Sequence, residues 1–188
     1  VMVKNKKGFT LVELLATIVI LGLIMVVAVP NVMGILDKNR SSTYVTDAKK
    51  LATLAEYQVR SGGNTVQKPS TNNCIVLTLS YLDNSEFEDP PNGGDYLKQV
   101  SFVVVKKEGN ELKYYVQLVE NFKSTFRGVP LVEASKLSED GATNNLVDNF
   151  KKADINVGSI PDKTKFVAFA RKFNSRFRCN SVTAIYDR

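Results

Sequence analysis

Residues 9–29 form an apolar run in which Glu13 is the single charged side chain. At about 1.5 Å per residue, a helix of these 21 residues covers the roughly 30 Å of a bilayer's hydrocarbon core. A secretory signal peptide has a shorter apolar region that ends in a small-residue cleavage site. The sequence after Met25 offers a poor site of that kind. We therefore predict that the run is a retained membrane-spanning helix.

The pattern changes to an amphipathic helix after Pro30. Apolar residues recur at helical spacing with charged residues between them, which is typical of a helix that buries one face. The apolar positions are Val45, Ala48, Leu51, Ala52, Ala55 and Val59. Gly62 and Gly63 are good stop signals. We predict one helix over residues 9–60, about 52 residues long and kinked near Pro30.

Beyond Gly63, short alternating runs separated by turn residues predict an antiparallel sheet of about four strands. The fold class is therefore α+β, with the amphipathic half of the helix packed on this sheet. The strand candidates are residues 101–105, 113–119, 166–170 and 182–186, with residues 107–110 as a hairpin turn. Residues 75–79 are either a strand or the start of a helix that continues to Leu82. Residues 83–95 and 138–145 are predicted to be polar loops.

These patterns divide the chain into four segments. Residues 1–8 are a short basic leader, and residues 9–30 are an apolar helix for membrane insertion and polymerisation. Residues 31–61 continue the helix in amphipathic form, and residues 62–188 form a globular antiparallel-sheet headgroup. The net charge of +6 falls to +3 without the leader, because the leader carries three lysines and no acid. This mild excess is explained by solubility as well as by a polyanionic partner.

The composition argues against an enzyme. The chain has no histidine, which is the commonest general base and metal ligand. We expect no catalytic residues, no cofactor and no metal site. Cys74 and Cys179 fit no zinc spacing. They are two buried thiols if the protein is cytosolic, and one disulfide if it is exported to an oxidising space.

The most informative stretch is Lys7-Gly8-Phe9-Thr10-Leu11-Val12-Glu13. A basic residue, a glycine, an aromatic residue and a glutamate four positions later open a long apolar helix. In these features, and in Pro30, the first 40 residues resemble the type IV pilins and their pseudopilin relatives, the class III signal proteins. Beyond residue 40 only the predicted architecture is similar. Many pilins place both cysteines near the C-terminus, and this chain does not.

The resemblance implies a sequence of processing steps. A membrane-embedded prepilin peptidase would cut between Gly8 and Phe9, and Phe9 would then be N-methylated, which preserves its positive charge. The precursor would sit in membrane lipid as a single-pass protein of the inner or cytoplasmic membrane. Pilus assembly machinery would then build copies of the chain into an extracellular helical filament. Glycine at position 8 suits a protease that needs unhindered backbone.

Glu13 needs a partner, because an ionised carboxylate in a membrane-length helix costs about 2.5–3.5 kcal/mol. No lysine or arginine lies within the apolar run, so a cationic partner must come from another molecule. We expect the new α-amino group of Phe9 on a neighbouring subunit to pair with Glu13 in a staggered array. The alternative is an interfacial glutamate that reaches the lipid headgroups. Gly22 and Pro30 mark a stretch that either kinks or, as in the pilins it resembles, can unwind during assembly.

Two weaker signals lie in the C-terminal part. Cations interleaved with phenylalanines resemble a nucleic-acid patch, but a strand or turn with its rings inward and its cations in water explains the pattern better. These residues are Arg171, Lys172, Phe173, Arg176, Phe177 and Arg178. An acidic stretch over residues 85–89, followed by Asp95, has oxygens enough for calcium but no known loop spacing. We interpret it as a solvated loop.

Three function classes follow. The first is a structural pilin of a type IV pilus for adhesion or motility. The second is a minor pilin or pseudopilin of a DNA-uptake or type II secretion machine, which shares the same N-terminal chemistry. The third is an unrelated membrane-anchored ectodomain, which would keep its N-terminal leader.

Overall fold

The computed structural model describes residues 8–61, 66–82, 87–138, 150–151, 170–171 and 173–187. The chain divides into two compact units, Val1–Asn39 and Arg40–Arg188. One α-helix, α1 (Leu11–Ser61), begins in the first unit and ends in the second, and Pro30 lies inside it. The prediction of one long helix is therefore confirmed, while the kink near Pro30 stays a prediction.

The C-terminal half of α1 buries one face in the second unit. All six apolar positions predicted from the helical spacing are buried, and Tyr44 joins them. Their neighbours in the core are residues of the sheet, among them Ile75, Leu77 and Val103, each with no exposed surface. The amphipathic pattern therefore identified the packed face of the helix correctly.

The sheet has six strands in the described part of the chain. The order is β2-β4-β3-β1-β6, and β5 also pairs with β4. The strands are β1 (Asn73–Thr78), β2 (Asp95–Tyr96), β3 (Phe102–Glu108), β4 (Glu111–Phe122), β5 (Thr125–Glu133) and β6 (Ser181–Ile185). The α+β class is confirmed, but the sheet is mixed, because β6 lies parallel to β1. A long connection separates these two strands, so β6 can enter the edge in either direction.

The predicted β3–β4 hairpin is present with a tighter turn. Glu108 pairs with Glu111, so only Gly109 and Asn110 form the loop. Gly109 has a φ of 60°, the left-handed conformation that two-residue hairpin turns require at this position. Lys107 and Glu108, predicted as turn residues, belong to strand β3.

For residues 75–79 the sequence left a strand and the start of a helix as alternatives, and the structure contains both. Strand β1 ends at Thr78, and a short helix, α2 (Leu79–Leu82), follows directly. In the segment with alternating cations and rings, Phe173–Phe177 is a short helix, α3, rather than a strand. Of the strand candidate at residues 166–170, only Ala170 is described, and it is helical. Most of the predicted loop at 138–145 and residues 83–86 lie outside the described residues.

Strand β5 was not among the strands predicted from the sequence, and it contains Gly128 and Pro130, which both disfavour a strand. A register shift between Val116 and Leu118 on β4 leaves Pro130 without a ladder partner. Gly128 has a φ of 144°, and a Cβ atom there would lie 2.0 Å from the carbonyl oxygen of Leu118. The bulge and the glycine together let β5 pair with β4 despite its unfavourable sequence.

A buried carboxylate ties the segment before β2 to the helix and the sheet. Glu120 of β4 has no exposed surface and accepts a hydrogen bond from the Tyr44 hydroxyl of α1. The Asn92 side-chain amide and the Gly94 backbone N–H also donate to it, each at 3.0 Å. Burial raises the pKa of Glu120, and the Gly94 N–H and the Arg127 charge oppose that shift. The Tyr96 hydroxyl adds a bond of 2.5 Å to Asp47 of α1.

Cys74 of β1 and Cys179, just before β6, are joined by a disulfide and are both buried. Their Cα atoms are 5.8 Å apart, within the usual range for a bridge. The bridge lies on the face of the sheet opposite α1, beside Phe102 and Phe177. Oxidation of this pair in the exported protein stays a prediction.

We predict that replacing Cys74 and Cys179 together by serine lowers the free energy of unfolding. The two residues close a loop of 105 residues, for which the chain-entropy model gives up to about 4–5 kcal/mol. Unfolding of detergent-solubilised wild type and variant by denaturant measures the difference. Thiol labelling of surface material should find no free cysteine in the wild type, and two labelled thiols would exclude the bridge.

We predict that Gly128→Ala destabilises the protein more than Gly109→Ala. Both positions have a positive φ, which costs an L-residue about 1–2 kcal/mol. A methyl group meets open space at Gly109 but the Leu118 backbone at Gly128, so there β4 and β5 must also separate. Thermal unfolding of the two variants side by side measures this difference. Equal midpoints would show that the close approach of β4 and β5 is not a constraint.

Candidate functional site

The N-terminal half of α1 exposes all its large apolar side chains. From Phe9 to Leu36 their exposed fractions range from 84% down to 43%. Within the described residues, α1 is the one helix long and apolar enough to cross a membrane, with a mean hydropathy of 2.8 over its most apolar window. This surface contrasts with the compact unit Arg40–Arg188, in which the apolar side chains of the sheet are buried.

The polar side chains of this half-helix are satisfied by the helix itself. The Thr17 hydroxyl donates to the Leu14 carbonyl at 2.8 Å, and the Asn31 amide donates to the Val27 carbonyl at 3.1 Å. In a hydrocarbon environment every polar group needs an internal partner, because no water is present to bind it. The half-helix therefore presents to its surroundings a surface with few unsatisfied polar groups.

Thr10 and Glu13 form a capping box at the start of α1. The Thr10 N–H and hydroxyl both donate to Oε2 of Glu13 at 2.9 Å, and the Glu13 N–H donates to the Thr10 hydroxyl at 3.3 Å. This reciprocal arrangement satisfies helix N–H groups that otherwise lack acceptors. The argument from charge missed this partner of Glu13, although a threonine three positions before a glutamate is a known sequence signature of it.

The cap leaves one carboxylate oxygen of Glu13 without a bond. Both Thr10 groups donate to Oε2, and Oε1 accepts no hydrogen bond from the described residues. Residues 9–36 contain no lysine or arginine. The cap therefore supplies hydrogen bonds to Glu13 but no opposite charge, and a cation could still bind at Oε1.

Gly8, Phe9 and Thr10 precede the helix and have no regular secondary structure. A Cβ atom added to Gly8 would meet no atom within 4 Å, so packing among the described residues does not require glycine there. The same is true of Gly22 within the helix. Whatever selects glycine at position 8 acts from outside the described part of the chain.

The C-terminal patch of cations and rings is only partly as the sequence suggested. Arg171, Arg176 and Arg178 are exposed. Phe177 is buried, with its ring centroid 4.6 Å from that of Tyr115, so it offers no free face for a nucleic-acid base. The Lys172 position and the Phe173 side chain lie outside what the structure describes. For Phe177 and the three arginines, the arrangement matches the interpretation with inward rings and solvated cations.

The acidic segment shows no cation site in its described part. Glu88, Asp89 and Asp95 are exposed, and residues 85 and 86 are not described. Across the described residues, no group of three or more histidine, cysteine, aspartate or glutamate side chains could hold a metal ion. The segment therefore carries negative charge without an assigned ligand.

Comparison with protein families finds a match at the N-terminus. Residues 3–29 match the family described as the prokaryotic N-terminal methylation motif. No curated protein and no solved structure matches the chain at a significant level. The matched segment contains Gly8, Phe9 and the Thr10–Glu13 capping box, and it ends immediately before Pro30.

Proposed function

Residues 3–29 carry the class III signal of type IV pilins, and from this premise we propose that the chain is the structural subunit of a type IV pilus. The motif implies processing by a prepilin peptidase and assembly into pilus-like filaments. The proposal adds that cleavage occurs between Gly8 and Phe9, that Phe9 is N-methylated, and that the filament serves adhesion or motility.

The observation that carries the proposal is the exposed apolar surface from Phe9 to Leu36. Leaving some twenty large apolar side chains in water would cost on the order of tens of kcal/mol. Lipid can cover the surface in the precursor. After extraction from the membrane, the same surface on other copies of the chain can cover it, which makes a polymer the natural product.

The free oxygen of Glu13 supports an electrostatic role in assembly. Cleavage before Phe9 creates an ammonium group at the tip of an identical helix, and the methylated amine keeps that charge. A neighbouring subunit can place this cation at Oε1 while Thr10 continues to occupy Oε2. The ammonium and the Glu13 carboxylate would be shielded from water within a bundle of apolar helices, where two opposite charges interact strongly.

A minor pilin or pseudopilin of a DNA-uptake or secretion machine is the alternative, because it uses the same N-terminal chemistry. The abundance of the protein in surface filaments distinguishes a structural pilin from a minor pilin or pseudopilin. Electron microscopy of sheared surface material, probed with antibody to residues 62–188, should show long and uniformly labelled filaments. N-terminal sequencing of that material should begin at a methylated Phe9, and a sequence beginning at Val1 or Met2 would contradict processing.

We predict that Gly8→Val blocks processing. A branched side chain next to the scissile bond hinders the approach of a peptidase to the backbone, so uncleaved precursor should accumulate in the membrane. Gly22→Val is the matched control, because both glycines lie in open space and only Gly8 adjoins the proposed cut. Mature protein from Gly8→Val in wild-type amounts would place the cut elsewhere.

We predict that Glu13→Val and Glu13→Gln both insert and are cleaved but assemble few filaments. Either change removes the cost of about 2.5–3.5 kcal/mol for a carboxylate in the bilayer. Either change also leaves the neighbouring ammonium buried without its partner, which typically costs about 3–5 kcal/mol. Immunoblots of membrane and sheared-filament fractions measure the distribution.

The glutamine variant separates charge from capping, because glutamine at this position can still form the capping box. Normal filaments from Glu13→Gln with none from Glu13→Val would assign Glu13 to the cap alone. Normal filaments from both variants would leave Glu13 as an interfacial carboxylate with no role in assembly.

A further inference from the structure

A groove of about 490 Å³ lies on the face of the sheet opposite α1. The end of β5 and the α3 segment line it, and Arg176 and Arg178 stand at its margin. Arg176 is held in place, since its Nη2 donates to the Leu131 carbonyl at 3.3 Å and its guanidinium lies 5.7 Å from the Phe177 ring centre. Arg178 is exposed and has a φ of 53°, a strained conformation that often marks a functional position.

The cationic side chains that line this groove differ in whether they form an ion pair with a carboxylate. The Lys106 ammonium lies 2.8 Å from a Glu108 carboxylate oxygen, and the Lys136 ammonium lies 3.9 Å from one of Glu133. Neither Arg176 nor Arg178 has a carboxylate partner in the part of the chain that the structure describes. These two side chains, which we call the arginine pair, therefore offer positive charge to an external group.

A surface of opposite charge lies on the segment that leads into β2. Glu88, Asp89 and Asp95 are exposed, and among the described residues no lysine or arginine forms an ion pair with them. We call these three residues the acidic loop. Its position is fixed, because the Asn92 and Gly94 bonds to the buried Glu120 hold the backbone between them.

The arginine pair and the acidic loop cannot meet within one chain. Phe177, between the two arginines, packs on Tyr115, whereas Asp95 pairs with Asn121 further along the same strand β4. Six residues of strand separate these points, about 20 Å.

We propose that in the filament the arginine pair of one subunit binds the acidic loop of the next. This inference rests on the proposed pilin function. Two complementary patches at different places on one molecule form a head-to-tail contact, and repetition of that contact gives an open helical polymer. The contact therefore adds a second, electrostatic interface to the one made by the apolar helices.

Two features favour a protein carboxylate over nucleic acid as the occupant. Glu108 and Glu133 line the groove together with the arginines, so a polyanion would meet like charges there. The Phe177 ring, which would have to stack on a base, is already packed on Tyr115. Separate carboxylates on an opposing loop can contact the arginines and avoid both glutamates.

The test is charge reversal in the full-length protein in cells. Arg178→Glu should reduce the sheared-filament fraction about tenfold or more, because it sets like charges against each other at every subunit contact. Lys123→Glu is the matched control, since Lys123 is also exposed and also has a positive φ, of 46°. Its filament yield should equal that of the wild type.

Compensation makes the test specific to the contact. The double change Glu88→Arg and Asp89→Arg should also lose filaments, and combining it with Arg178→Glu should restore most of the yield. Mature, disulfide-bonded protein in the membrane fraction of each variant shows that its fold and processing are intact. Rescue by the combined variant establishes the contact even if a partly reversed chain is less stable.

Three results would overturn the proposal. Wild-type filament yield from Arg178→Glu, while Glu13→Val still fails to assemble, would reject this contact and leave the proposed function standing. An equal loss in Lys123→Glu, or no rescue in the combined variant, would show a general effect of charge. If the wild type forms no filaments at all, the proposed function fails together with this contact.

Discussion

The apolar surface of residues 9–36 is the constraint on which the rest of the molecule depends. The described residues do not cover these side chains, and water is not an acceptable environment for so much apolar area. The N-terminal segment is accordingly simple, with Thr17 and Asn31 bonded to their own helix and one charge at its start. Among the described residues, the hydrophobic core lies in the unit from Arg40 onward, where one helix face and a six-stranded sheet pack together.

Sequence reasoning succeeded where a periodic pattern determines packing, as at Val45, Leu51 and Val59, all of which are buried. It failed where tertiary contacts override local preference. Gly128 and Pro130 discourage a strand by themselves, yet a bulge in β5 leaves Pro130 outside the ladder and Gly128 still pairs with Val119. The parallel direction of β6 could not be inferred either, because nothing local to its sequence records which way a strand enters the edge of a sheet.

The sequence was enough to single out the residues of the candidate site, but only some of their contacts were foreseen. The motif and its resemblance to the pilins singled out Gly8, Phe9 and Glu13, and the family match spans all three positions, while their roles stay predictions. The capping bond from Thr10 was readable in the sequence but was overlooked, because the argument sought a cation for Glu13 and not a hydrogen-bond donor. The proposed cation of a neighbouring subunit belongs to another molecule, so neither the sequence nor the structure of one chain can contain that contact.

The capping box and the proposed ion pair are complementary uses of Glu13 and do not compete. A carboxylate at the first turn of a helix is favoured by the helix dipole and by the bonds from Thr10. Those interactions lower the cost of carrying the charge while the segment is in lipid. They also hold Oε2 in place, so that Oε1 is already oriented when a neighbouring ammonium arrives. A contact prepared in this way loses less side-chain entropy on assembly. Because the proposed polymer would repeat this contact at every subunit, the lower entropy cost would apply at each one.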